Sequence, residues 1–261
     1  MAESGLSIGF TELIGETGKF LGYGYKAYAS YSAAKQVELS GIVQSGVRRV
    51  YYPPAINKDT LGYEWSWLRP TTTLSIESGT ADYDLPDDFG RLVGAFHYPE
   101  DKYLDSIAEV SVGKLLSMRS YASNTGSPKY VAVRFKTEDR TTGSRQEALF
   151  YPESDDDWTL LYEYEAYSGA LSTSYPYPLG GMKFAELYIE SCLAVAESRI
   201  NDEIGNHAQQ FQTLLIDAIA RDRKHGAQFY GQMGHKESNA VEFRRGWTGS
   251  TYPITYNGIE I

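Results

Sequence analysis

The spacing of apolar residues changes twice along this chain, and that change constrains the fold more than any other feature. Apolar residues recur at helical intervals in residues 32–52, 181–203 and 206–224. Between them, residues 63–169 hold short β-branched and aromatic segments separated by Gly, Pro, Asp and Asn. This order predicts an α+β fold in which an α-helical bundle carries an inserted antiparallel β-sandwich or barrel-like domain.

The inserted region is predicted to contain six strands and one short helix. Helical spacing appears in residues 111–121, and residues 141–144 have the composition of a hairpin turn. The predicted strands are residues 73–76, 82–85, 92–98, 130–135, 147–151 and 160–167.

The N-terminal segment has a weaker helical pattern. Thr11 and the acidic residue after it resemble the start of a helix, which we expect over residues 11–21. Gly15, Gly18 and Gly22 oppose this prediction, because glycine destabilises a helix interior. The sequence leaves open whether this first helix packs in the bundle.

The end of the chain is predicted to be an extended arm. Residues after position 225 contain seven Gly or Pro residues and show no sustained period, so we expect them to become ordered only against a partner. The chain thus divides into residues 1–62 (N-terminal helices), 63–169 (β-rich insertion), 170–225 (C-terminal helical hairpin) and 226–261 (docking arm).

The large side chains of the arm are the candidate site residues. Arg and aromatic residues anchor protein interfaces, although Arg244 and Arg245 could also bind phosphate. Three glutamates in the arm largely cancel this positive charge, which favours docking to protein. The candidate anchors are Phe229, Phe243, Arg244, Arg245, Trp247, Tyr252 and Tyr256.

Charge and composition exclude several classes of protein. The net charge is −10, and residues 63–169 contribute −9 of it, with 19 acidic and 10 basic residues. Such a surface repels a phosphate backbone, so tight nucleic-acid binding is not expected. Apolar runs are too short to span a membrane, and the single cysteine, Cys192, cannot form an internal disulfide.

The sequence predicts no catalytic, cofactor or metal site. Asp84 with Asp87 or Asp88 could form an acid/base pair, but a solvated turn accounts for them more simply. Residues 155–157 are three aspartates without the spacing of a calcium loop, and they also fit a turn. Cys192 lies on the apolar face of a helical segment, where a core position is expected.

Two tryptophans leave two interpretations open. Trp65 and Trp67 would lie on the same side of a strand, where they could stack on a sugar or a base. The favoured interpretation is that the strand turns both of them into the core of a small sandwich.

The order of the segments resembles the head-to-tail adaptor proteins of tailed bacteriophages, also called head-closure or tail accessory proteins. No single motif is specific, and it is their order and spacing that carry the resemblance. The matching segments are residues 47–52, 65–70, 83–89, 127–130, 151–152, 162–164, 180–182 and 192–197.

The resemblance implies a non-enzymatic structural protein of the virion, made in the host cytoplasm. It implies a homo-oligomeric ring of twelve subunits beneath the portal, with the arm reaching the portal protein. A downstream tail or nozzle protein would be the other partner, packaged DNA would make transient non-specific contact, and no cofactor or membrane would be involved. An alternative is a carbohydrate-binding or carbohydrate-active tail component that uses the Trp-rich region. A less favoured third interpretation is a cytoplasmic hydrolase.

Overall fold

The protein is described by a computed structural model over residues 4–55, 62–99, 104–122, 124–136, 143, 145–201, 205–225, 255–256 and 259–260. Its contacts divide the chain into two compact units, Met1–Arg223 and Lys224–Ile261. Helices and sheets share the first unit, which confirms the predicted α+β class. The finer division of that unit into domains stays a prediction.

The helices of the described residues occupy the predicted segments. They are α1 (Phe10–Phe20), α2 (Ala33–Tyr51), α3 (Val112–Tyr121), α4 (Ala185–Asn201) and α5 (Asn206–His225). Short 3-10 turns at Tyr28–Ser30, Ser66–Leu68 and Met182–Phe184 accompany them.

Helix α1 packs in the bundle, which answers the question that the sequence left open. Leu13 and Ile14 are fully buried in a core shared with α2, α4 and α5. Thr11 is not the N-cap: the helix begins one residue earlier, and Gly9 is its cap. The Gly9 N–H donates to a carboxylate oxygen of Glu12 at 2.9 Å. The backbone of the N-cap is thus bonded by a side chain of the first turn, whereas a Thr N-cap would use its own side chain to accept a backbone N–H.

The glycines of α1 permit close contacts with the loop that follows it. A Cβ on Gly18 would collide with the hydroxyl end of Tyr31, a buried residue whose O–H donates to the Gly24 carbonyl at 2.6 Å. A Cβ on Gly15 would instead meet the ring of Tyr25, which is exposed. The two glycines therefore differ in how easily their neighbour can move.

Replacing Gly18 by Ala is expected to lower the free energy of unfolding by about 2 kcal/mol, because Tyr31 must leave its site. Gly15→Ala is the matched control in the same helix, and its clash is relieved when the exposed Tyr25 ring rotates away. Urea denaturation of both variants measures the difference. Equal stabilities would contradict the assignment of Gly18 to a close packing contact.

Helices α2 and α4 approach each other closely at Gly46 and Cys192. A Cβ placed on Gly46 would lie 2.8 Å from the Cα of Cys192 and 2.9 Å from its backbone nitrogen. The Ser191 hydroxyl donates to the Gly46 carbonyl at 2.8 Å, which joins the two helices across the contact. Cys192 is buried, as predicted for a core position.

The inserted region forms two sheets that face each other. The first contains β1 (Thr71–Ile76), β3 (Phe89–His97) and β7 (Trp158–Ala166), with β7 central and antiparallel to both neighbours. The second has the order β2-β6-β5-β4, formed by β2 (Asp82–Asp84), β4 (Ala108–Glu109), β5 (Tyr130–Phe135) and β6 (Gln146–Tyr151). All six predicted strands are present.

The two sheets enclose an apolar core and do not form a closed barrel. Ile76, Phe96 and Tyr162 of the first sheet pack with Val131 and Phe150 of the second. Strand β4 was not predicted, and it differs from the others in pairing parallel to β5. The predicted turn at 141–144 lies outside the described residues except for Gly143, which has a φ of +80°.

Helix α3 covers the outer face of the second sheet. Its Leu115 is fully buried against Ala132 of β5 and Leu149 of β6. Ser111 caps the helix by accepting the Lys114 N–H at 3.4 Å. The insertion therefore has its own core on each side of this sheet.

The predicted strand containing the two tryptophans is wrong. Trp65 precedes the 3-10 turn Ser66–Leu68, and its ring is fully buried in the helical core. Its indole N–H donates to the Val50 carbonyl at 2.7 Å, near the end of α2. Trp67 stacks on Trp65 and also contacts Phe184. Both rings therefore serve the helical core and not the sandwich.

Raised tyrosine pKa values in the sandwich core predict a loss of stability in alkali. Burial is the main cause that raises the pKa of Tyr162 and of Tyr164 to about 12. An unfolded tyrosine releases its proton near pH 10. Stabilisation from both residues is thus fully present below about pH 10 and is lost as pH rises to about 12.

We expect each of these tyrosines to contribute on the order of 2 kcal/mol to that loss. Urea denaturation at a series of pH values between about 10 and about 12 measures this loss. Tyr162→Phe should make the decline with pH shallower, whereas Tyr121→Phe, which removes an exposed tyrosine, should not. An unchanged slope in Tyr162→Phe would contradict the prediction.

The second compact unit contains one described hairpin. Strand β8 (Thr255–Tyr256) pairs antiparallel with β9 (Ile259–Glu260), so that Tyr256 lies opposite Ile259. Tyr256 is the one predicted anchor on a described residue. The others, Phe229, Phe243, Arg244, Arg245, Trp247 and Tyr252, lie outside the described residues.

Candidate functional site

A loop between the sandwich and α4 displays aromatic residues from a fixed backbone. We call residues 171–181 the tyrosine loop. Gln44 of α2 holds its start: the side-chain amide donates to the Leu171 carbonyl at 2.6 Å and accepts the Leu171 N–H at 3.1 Å. Tyr51 and Tyr188 hold its other end, because Leu179 donates its N–H to Tyr51 at 3.0 Å and accepts the Tyr188 hydroxyl at 2.7 Å.

The middle of the tyrosine loop is also fixed. The Phe10 N–H, in the first turn of α1, donates to the Pro176 carbonyl at 2.6 Å. Two prolines in the sequence Tyr175-Pro176-Tyr177-Pro178 limit the backbone further. With three contacts to the helices, the loop loses little conformational entropy when a partner binds.

The side chains between these contacts are exposed. Tyr175 is 76% and Tyr177 is 49% exposed, and Leu179 is also exposed. Beside them the N-terminal segment places Leu6 on the surface, and a cavity of about 270 Å³ lies between that segment and Pro176 and Tyr177. Clustered exposed apolar residues on a rigid backbone are typical of a protein-docking surface.

A second arrangement fixes the junction of the helices and the insertion. Asp222, near the end of α5, is buried and accepts three hydrogen bonds. Its Oδ2 accepts the Tyr63 hydroxyl at 2.7 Å and the Ser66 N–H at 2.9 Å, and its Oδ1 accepts the Ser66 hydroxyl at 2.6 Å. We call these three residues the Asp222 junction. They fix the last helix to the segment that leads into the sandwich.

The aspartates considered as a catalytic pair each contact a different partner. Asp84 pairs with Lys136 at 2.6 Å, and Asp87 lies 3.4 Å from Arg145. Asp88 accepts the Tyr164 hydroxyl at 3.0 Å. This arrangement fits the turn that the sequence favours.

The three aspartates at 155–157 are exposed and also lie in a turn. The side chain of Asp157 accepts the Ser78 N–H at 2.8 Å and so closes a loop contact. Within the described part of the chain, no group of acidic, His or Cys side chains has the arrangement of a metal site. Of the helices described, none combines the length and apolar character needed to cross a bilayer.

Sequence reasoning missed the tyrosine loop. Its signal is the repeated Tyr-Pro pair followed by Gly180-Gly181, which predicts a rigid and exposed turn. The side chains that hold the loop come from α2 and α4 and could not be linked to it by spacing. The tryptophan platform considered for sugar binding is not formed, since Trp65 is buried.

The exposed tyrosine loop on this α+β fold has the features of a surface that contacts other proteins. A model of the SU10 adaptor protein family matches residues 11–233, and the chain belongs to this family. It is therefore a bacteriophage adaptor, a structural protein and a component of the virion. A search of curated proteins finds no match.

Proposed function

We propose that this adaptor joins the capsid to the tail as a ring of twelve subunits beneath the portal vertex. The ring continues the DNA channel, contacts passing DNA transiently, and receives a downstream tail or nozzle protein on its other side. Family membership over residues 11–233 supports the adaptor role. The observation that carries the docking mechanism is the tyrosine loop, a preorganised aromatic surface on the helical bundle.

The arm supplies the second docking element of this proposal. The predicted anchors Phe229, Phe243, Arg244, Arg245, Trp247, Tyr252 and Tyr256 engage the portal or a neighbouring subunit. The insertion, which carries −9 of the net charge, does not retain DNA by electrostatic attraction. The adaptor thus holds proteins together while DNA passes.

Electron microscopy of the adaptor mixed with the portal protein of the same phage tests this function. The full chain should form closed rings that co-migrate with portal, and a chain truncated after Lys224 should fold but not join the particle. No ring and no co-migration with full-length protein would overturn the adaptor role. Unchanged incorporation of the shortened chain would remove the arm from the mechanism.

The tyrosine loop has its own test. Replacing Tyr175 and Tyr177 by Ser should weaken docking at least tenfold, because exposed aromatic anchors dominate interface energies. Tyr121→Ser is the control, since Tyr121 is 94% exposed on α3 and outside the loop. Sedimentation with portal measures the difference. Equal docking of both variants would exclude the loop as a contact surface.

A further inference from the structure

The two sheets of the sandwich have four edge strands, and three of them are protected. Unpaired edges invite pairing with other chains, so proteins shorten, charge or bend them. Strand β2 has three residues, two of them aspartates, and β4 has only two residues. Strand β3 is interrupted by register shifts, and Gln146 donates to the carbonyl of its Gly90 at 2.9 Å.

Strand β1 has none of these protections. Its sequence, Thr-Thr-Thr-Leu-Ser-Ile, contains no charged residue and no proline, and it pairs with β7 through six consecutive positions without a shift. No strand among the described residues pairs with its other side. Because β1 lacks the features that protect the other three edge strands, another strand can pair with its free edge.

The direction of the backbone groups of β1 follows from one hydrogen bond. The Tyr164 N–H donates to the Pro70 carbonyl at 3.2 Å, just before the register in which Thr71 lies opposite Glu163. In an antiparallel ladder, hydrogen-bonded positions alternate, so residues 72, 74 and 76 bond to β7. Thr71, Thr73 and Ser75 therefore direct their N–H and C=O groups to the open side, and all three are exposed.

The β8–β9 hairpin is a sheet of only two strands. In the sequence, its two strands are separated by Asn257-Gly258, a dipeptide typical of hairpin turns, and among the described residues no third strand pairs with them. An isolated two-stranded hairpin is marginally stable in water and gains stability as part of a larger sheet. Among the described residues, the hairpin thus belongs to no larger sheet, and the outer side of β1 has no paired strand.

We propose that the β8–β9 hairpin of one copy adds to the open edge of β1 in a second copy. This inference rests on the proposed ring, because a ring requires a contact between two different surfaces, repeated from copy to copy. Pairing of β1 with β1 would close a two-fold dimer instead. Residues 226–254 span at most roughly 100 Å when extended, which is long enough to reach a neighbour.

Cysteine crosslinking between singly substituted copies tests the contact. One full-length chain carries Ser75→Cys and the other carries Glu260→Cys, and the two are mixed with portal and oxidised. Native Cys192 does not compete, because it is buried and burial raises its thiol pKa to about 12. We expect a disulfide-linked dimer from the mixture, and much less from either chain alone.

Thr73→Pro provides the blocking variant. It removes an N–H that β7 does not use and fills the open edge, whereas the control Thr73→Val keeps that N–H. Added to the Ser75→Cys chain, the proline should lower the yield of linked dimer about tenfold, because it removes one hydrogen-bond donor and its ring blocks the approach of the added strand. Equal yields with proline and valine would overturn the proposed edge contact.

The remaining outcomes separate this inference from the proposed function. Rings that form without any linked dimer would overturn the hairpin contact and leave the adaptor role intact. A third sample, a full-length chain that carries both cysteines, tests pairing within one subunit. If this chain forms the link as a monomer while the mixture forms none, the hairpin lies on its own subunit and the inference is overturned. Absence of rings would contradict the adaptor role and this inference with it.

Discussion

Gly46→Ala is expected to lower the free energy of unfolding by about 3 kcal/mol, the upper part of the range for overpacked cores. The added methyl group would lie 2.7 Å from the Cys192 sulfur and within 2.9 Å of two Cys192 backbone atoms. A flexible side chain could rotate away, but helix backbone cannot, so α2 and α4 must separate. Urea denaturation measures the loss.

Gly41→Ala is the matched control, since it makes the same change in the same helix. The nearest heavy atom to its added methyl group is the Arg199 guanidinium, at 3.8 Å. Without a clash, the gain in helix propensity should stabilise the protein by about 0.5–1 kcal/mol. If Gly46→Ala also stabilises the protein, the two helices do not meet as closely as described.

Asp222→Ala is expected to cost about 3 kcal/mol, because it removes three hydrogen bonds to a carboxylate and leaves their donors without it. The effect should extend beyond α5, since Tyr63 and Ser66 lie in the segment that enters the sandwich. Thermal unfolding monitored by circular dichroism measures the loss. Hydrogen exchange should rise at residues 62–68 as well as in the helix.

The control, Asp217, lies five residues earlier on the same helix. Asp217 pairs with Arg221 at 2.5 Å, but both side chains are more than half exposed. Such pairs contribute only about 0.3–0.5 kcal/mol, so Asp217→Ala should be nearly neutral. Similar losses in the two variants would show that the buried position of Asp222 has no special role.

The sequence predicts the helices and strands correctly where the spacing of apolar residues repeats over many positions. Helices α2, α4 and α5 and the five strands of at least six residues repeat their pattern often enough to set both type and position. Strand β4 has two residues, too few for a pattern. Trp65 and Trp67 suit a strand by spacing, but their burial depends on Val50 and Phe184, which are distant in the sequence.

The candidate site was predictable only in its composition. The chain has 22 tyrosines, a residue type that suits strand surfaces and subunit contacts. The tyrosine loop itself depends on Gln44 and Tyr51, which lie 127 and 128 positions from the loop residues they hold. Such contacts leave no periodic signal. Asp222 likewise looks like an ordinary polar position on a helix until Tyr63 and Ser66 are placed against it.

The two ends of the sandwich lie side by side. Strand β1 leaves the helical part of the chain at Thr71, and β7 returns toward it near Glu163, the residue directly opposite Thr71. Opposite residues in such a ladder have Cα atoms only about 5 Å apart. A gene encoding this protein could therefore lose, gain or exchange the whole sandwich through one recombination event, with a short linker restoring the path between the helices.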